Sequence, residues 1–116
     1  MSEFRIYHNP RCSKSRATLA LLQEHGVQPE VVLYLDNPPS KAALRKLLKQ
    51  LGKKPAELVR KGEVDYKTLG LGADSSADEL LEAMASHPRL IERPIVVRGE
   101  RAVLGRPPEN ALDLLG

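Results

Sequence analysis

At 116 residues the chain is the size of one domain, able to bury about two-thirds of its unfolded surface. Its composition, 41% hydrophobic and 28% charged, is globular, but Phe4, Tyr7, Tyr34 and Tyr66 are its only aromatic residues, so the core must be aliphatic and rings for stacking on nucleic-acid bases are scarce. The net charge of +3 divides into twelve Lys/Arg against five Asp/Glu over residues 1–61 and six against ten over residues 62–116; no run approaches the ~20 apolar residues of a membrane span, and the expectation is a cytoplasmic protein with neither nucleic-acid nor membrane partners.

Residues 4–7 alternate and read as a first strand. The stretch Tyr7-His8-Asn9-Pro10-Arg11-Cys12-Ser13-Lys14-Ser15-Arg16 leads from it into a helix, with Ser13 or Ser15 as the expected cap, that runs to about His25 and stops at Gly26. Residues 30–35 form a second, more apolar strand. A helix between two strands implies a right-handed βαβ unit with parallel strands, which places Cys12 at the carboxyl end of the first strand, where open α/β sheets bind ligands.

Asp36-Asn37-Pro38-Pro39 ends this unit. Ser40 begins a helix with Leu44, Leu47, Leu48 and Leu51 on one face and Gly52 after it. Around that face lie Lys41, Arg45, Lys46, Lys49, Lys53 and Lys54, which read as a solvated surface. Pro55 suits the first turn of a short helix closed by Gly62, and residues 65–70 form a helical turn or loop. Ser76-Ala77-Asp78-Glu79 has capping-box form and predicts a helix to about Ser86. Residues 37–91 are therefore a mostly helical insertion without strand-like runs. Residues 94–97 and 101–104 read as a β-hairpin turning around Gly99, and residues 109–115 as a closing helix with Pro108 near its start. The order is that of an α/β protein, β-α-β, helical insertion, β-β-α, with one mixed four-stranded sheet in a single domain.

The chemistry centres on the one cysteine. A sulfur at a strand-to-helix junction sits among unpaired helix N–H groups, which favour thiolate over thiol. His8, Arg11, Lys14 and Arg16 bring positive charge from the same stretch, and such neighbours lower a thiol pKa from about 8.5 into the range ~3.5–7.5. The alternative, a buried cysteine acting as a small hydrophobe, fits poorly with flanks of Arg11, Ser13 and Lys14. A nucleophile in an anion-attracting pocket is the reading these residues support. A single cysteine makes no internal disulfide, so any resolving thiol comes from another molecule. One Cys with His8, His25 and His87 scattered along the chain lacks metal-ligand spacing, and no metal or bound cofactor is implied.

His8-Asn9-Pro10-Arg11-Cys12-Ser13-Lys14-Ser15-Arg16, Leu33-Tyr34-Leu35, Glu92-Arg93-Pro94-Ile95-Val96-Val97 and Gly105-Arg106-Pro107-Pro108 together resemble the glutathione- and glutaredoxin-coupled arsenate reductases of the ArsC family. The resemblance implies a thioredoxin-like fold. It makes Cys12 the nucleophile that forms the covalent arsenic intermediate and His8 a support for its thiolate. Arg60, Arg93 and Arg106 are implied to hold and stabilise the oxyanion, with Ser15 beside them in the place of a second redox cysteine, and Pro94 to be the cis-proline opposite the nucleophile. The implied reaction takes arsenate to arsenite with glutathione as co-substrate and glutaredoxin as partner. The plasmid-type enzymes continue past the position of Gly116, and Ser13 and Lys14 are bulkier and more charged than the small residues usual there, features of a chromosomal sibling branch. Two other readings share the fold: a regulator similar to the Spx transcription factors, which bind RNA polymerase and sense redox state through a Cys-x-x-Cys that Ser15 removes here, and a monothiol glutaredoxin-like thiol transferase, which would not need the three arginines.

Overall fold

A computed structural model of the chain describes residues 3–115. They form two compact units, one of residues 3–37 with 93–115 and one of residues 38–92. The first carries β1 (Phe4–His8), α1 (Ser13–Glu24), β2 (Glu30–Leu33), β3 (Ile95–Arg98) and β4 (Arg101–Leu104), and ends in a 3₁₀ helix, Pro108–Leu114. The strands are ordered β2-β1-β3-β4; β1 runs parallel to β2 and antiparallel to β3, and β3 antiparallel to β4, which is the sheet of a thioredoxin-like fold.

Alternation along β1 decides what that sheet buries. Phe4, Ile6 and His8 point to one face and are buried, while Arg5 and Tyr7 point to the other. Ile6 stands opposite Val31 on one side and Val96 on the other. Phe4, Ile6 and Val96 pack with Leu22 of α1 and with Ala111 and Leu114 of the closing helix. Fully burying each of the larger side chains stabilises the unit by roughly 1.5–3 kcal/mol.

Two local expectations change. β2 stops at Leu33 because its carbonyl accepts the N–H groups of Asp36 and Asn37, turning the chain two residues early. As an edge strand it leaves Val31 and Leu33 43% and 38% exposed. The closing element is 3₁₀, with Pro108 at its first position, and not the α-helix expected over residues 109–115. The β3–β4 turn does fall at Gly99, whose φ of +61° favours glycine.

In the second unit, α2 (Lys41–Leu51), α3 (Pro55–Leu58), α4 (Val64–Thr68), α5 (Ala77–Ser86) and a 3₁₀ turn at Pro88–Leu90 follow one another, with a single bridge, Val59 to Ile91, in place of a strand. Leu44, Leu47 and Leu48 of α2 and Leu80, Leu81 and Met84 of α5 are buried. The basic surface of α2 is partly neutralised within the unit: Lys41 Nζ lies 2.5 Å from Asp78 and 3.2 Å from Glu82, and Arg45 lies 3.4 Å from Asp78. Ser76 caps α5 in a reciprocal box, its hydroxyl accepting from Glu79 N–H at 3.1 Å while Glu79 Oε1 accepts from Ser76 N–H at 3.0 Å. Ser76→Ala should cost about 1 kcal/mol. Urea denaturation should show it as a lower midpoint at unchanged slope.

Candidate active site

β1 delivers His8 to the edge of a tight loop. The loop is closed by Cys12 N–H donating to Asn9 O at 3.0 Å and by Arg11 N–H donating to Asn9 Oδ1 at 3.0 Å, and the Arg16 guanidinium donates to Pro10 O at 2.8 Å. Cys12 emerges from it in extended conformation (φ −95°, ψ 123°) as the N-cap of α1, and its carbonyl accepts Arg16 N–H at 3.0 Å. The residue is 9% exposed. Neither Ser13 nor Ser15 caps the helix: the cap position belongs to the cysteine, which closes no conventional side-chain cap bond.

Burial pushes the Cys12 thiol up, but it is outweighed. The backbone N–H of Ser15, the positive charge of Arg93, the backbone N–H of Lys14 and a hydrogen bond from the Arg93 side chain together hold the pKa below the usual thiol value. The sequence stretch around Cys12 therefore supplies its effect chiefly through main-chain amides of the first helical turn, and the guanidinium that matters comes from residue 93.

His8 is buried with its Nδ1 2.6 Å from Ser15 Oγ, and Ser15 Oγ also accepts Asn9 N–H at 3.0 Å. Burial, then the nearby charge of Arg16, holds the His8 pKa below its ordinary value. Burial therefore disfavours the positive charge expected of His8 beside Cys12, and its Nδ1 is bonded to Ser15. The Ser15 side chain is fully buried and turned inward to His8 and Asn9, and the group it offers the sulfur is its main-chain N–H.

Arg93 stands two residues before Ile95, the residue paired with Tyr7, so the antiparallel β1–β3 ladder carries it to the end of β1 from which the cysteine loop departs. The Arg93–Pro94 peptide is cis, as the resemblance implies, and so is Arg106–Pro107. Arg106 Nη1 donates to Arg93 O at 3.3 Å, and Gly105 N–H donates to Pro94 O at 2.9 Å. Asn110 Nδ2 lies 3.2 Å from Leu104 O and from Arg106 O, holding the loop between them. Inside the first unit Arg93 thus acts on Cys12, and Arg106 is tied to the backbone of Arg93. Arg60 belongs to the second unit, half-buried, 3.1 Å from Glu63 and 3.8 Å from Glu92. Thr18 and Gly105 pack against one another beside these residues, and no local sequence pattern marks either.

A cysteine whose pKa is lowered by helix amides and a guanidinium on a thioredoxin-like frame defines a class of thiol-dependent enzyme sites, and the chain belongs to the ArsC family, which matches residues 7–114. Among its relatives, the uncharacterized protein YfgD of Escherichia coli (strain K12) is 57% identical, over 98% of both chains. An arsenate reductase of Neisseria meningitidis serogroup A is 49% identical over 95% of this chain and 96% of its own. The solved structure of an arsenate reductase from Vibrio cholerae superposes with a TM-score of 0.91 at 50% identity, covering 95% of each chain.

Proposed function

We propose that this chain is an arsenate reductase working through a covalent sulfur–arsenic adduct at Cys12, with glutathione and glutaredoxin as reductants. The observation that carries the reading is the Arg93 guanidinium acting on the Cys12 sulfur by charge and hydrogen bond, with Arg106 bound to the carbonyl of the same arginine. Relatives named arsenate reductases at 45–49% identity over nearly the whole chain support it.

In the proposed sequence the Cys12 thiolate attacks As(V), and one hydroxyl leaves with a proton as water. The Ser15 and Lys14 amides keep the sulfur anionic until that bond forms, and Arg93 and Arg106 balance negative charge on the arsenic oxygens as it does. A glutathione thiol then attacks the Cys12 sulfur. The S–As bond breaks with its electron pair retained by arsenic, which leaves as arsenite, and a mixed disulfide remains for glutaredoxin to reduce. Two thiols thus supply the two electrons that As(V) takes up.

The test is arsenite formation in a mixture of protein, arsenate, glutathione and glutaredoxin, with each component omitted in turn and a model glutathione mixed disulfide offered in parallel. Turnover of arsenate that needs both thiol components is the expected result. Turnover of the mixed disulfide with none of arsenate would replace this reading by that of a thiol transferase. Arg60 enters on the resemblance alone. Arg60→Ala should lower kcat/KM for arsenate about ten- to a hundredfold, the worth of a charged hydrogen bond, with the far-ultraviolet circular dichroism unchanged.

A further inference from the structure

Thr18 is fully buried in the middle of α1. Its hydroxyl donates to Lys14 O at 2.7 Å, one turn back, and is shared with Gly105 O at 3.3 Å, 87 residues away in sequence. Gly105 lies against it with no room for a side chain. A Cβ there would stand 2.5 Å from Thr18 Oγ1, 2.9 Å from Thr18 Cγ2 and 2.8 Å from Pro94 Cγ. The backbone at Gly105 is not left-handed, so what selects glycine is space alone.

The position of this contact gives it meaning. Thr18 follows Ser15 and Lys14, whose amides favour the Cys12 thiolate, by three and four residues, within one turn of the same helix. Gly105 immediately precedes Arg106 and is hydrogen-bonded to Pro94, which immediately follows Arg93. Helix and arginine-bearing backbone therefore meet where one side chain touches one bare Cα, and nothing larger than hydrogen fits between them.

We propose that Thr18 and Gly105 are positioning residues: their direct contact sets how far the backbone carrying Arg93 and Arg106 stands from the first turn of α1, and so fixes the grip on a tetrahedral oxyanion at Cys12. This rests on the oxyanion-reducing reading above. A Cβ at residue 105 has to be accommodated by moving the loop outward, away from Thr18, and displacements near 1 Å at a binding constellation cost up to about 10²-fold.

The experiment is alkylation of Cys12 by iodoacetamide with increasing arsenate. The concentration of arsenate that halves the rate reports anion affinity in whatever molecules are folded, and loss of stability alone does not move it. Gly105→Ala should raise that concentration about tenfold or more. Thr18→Val, which keeps the shape but removes the donor to Gly105 O, should raise it about two- to tenfold, as for one neutral hydrogen bond. Adding Thr18→Ala to Gly105→Ala removes both Thr18 atoms in the way and should recover part of the loss, the Pro94 contact remaining. Gly105→Ala and Thr18→Val proteins protected at the wild-type concentration would overturn the inference while leaving the oxyanion reading intact; should Gly105→Ala not fold, Thr18→Val decides. Wild-type protein that arsenate does not protect sinks the oxyanion reading and this inference together.

Discussion

Cys12→Ser should give a folded protein whose arsenite production falls to the assay background. The hydroxyl of serine stays protonated at neutral pH under the same amides and guanidinium that lower the thiol's pKa, so the nucleophile is absent although its position is filled. Stability should move the other way. Residue 12 is the N-cap of α1 and closes no conventional cap bond as cysteine, whereas serine is among the preferred N-cap residues. A thermal melt equal to or above that of the wild type, with turnover gone, would show that the cysteine is present for chemistry and tolerated by the fold. Turnover retained in this variant would end the proposed mechanism.

Arg93→Gln is the second large effect. The Arg93 side chain lowers the Cys12 pKa both as a charge and as a hydrogen-bond donor; glutamine removes the charge and leaves only the neutral part. The thiol then titrates higher. In the wild type the thiolate persists to lower pH than an ordinary thiol's would, and in the variant it is lost earlier on the way down. The rate of Cys12 alkylation against pH should therefore shift its midpoint to higher pH. Arsenate turnover should drop about 10²–10³-fold, the effect of removing one donor to a developing oxyanion. A midpoint unchanged by the substitution would show that the helix amides ionise the sulfur unaided.

The legible parts of the chain were those whose signals are local. Residues 4–8 alternate, α2 carries its leucines at helical spacing, and Ser76 to Glu79 spells a cap, so elements and their order follow from a few neighbouring residues each. The end of β2 was not legible, because its apolar run continues through Tyr34 and Leu35 while the turn that stops it at Leu33 is made by backbone hydrogen bonds. The site was half legible. Cys12 announced itself as a lone sulfur before a helix, but Arg93 is one arginine among ten until the β1–β3 register puts it at the end of β1, and only the family resemblance singled it out in advance. His8 suggested a charge that burial disfavours. Thr18 and Gly105 had no signal, since an internal helix threonine and a glycine in a Pro-rich turn look ordinary until the fold brings them together.

The placement of Cys12 at the amide-rich end of α1 also bears on how the protein is recycled. In thiol–disulfide exchange the sulfur that departs most readily is the one with the lowest proton affinity. Any disulfide formed at Cys12 will therefore break toward this chain's own sulfur when an incoming thiolate attacks the partner sulfur, and the amides of Ser15 and Lys14 will receive it as an anion. The environment that primes the first bond-forming event also makes Cys12 a good leaving group in the last, so a chain with one cysteine can be reset by an outside thiol without a second sulfur of its own.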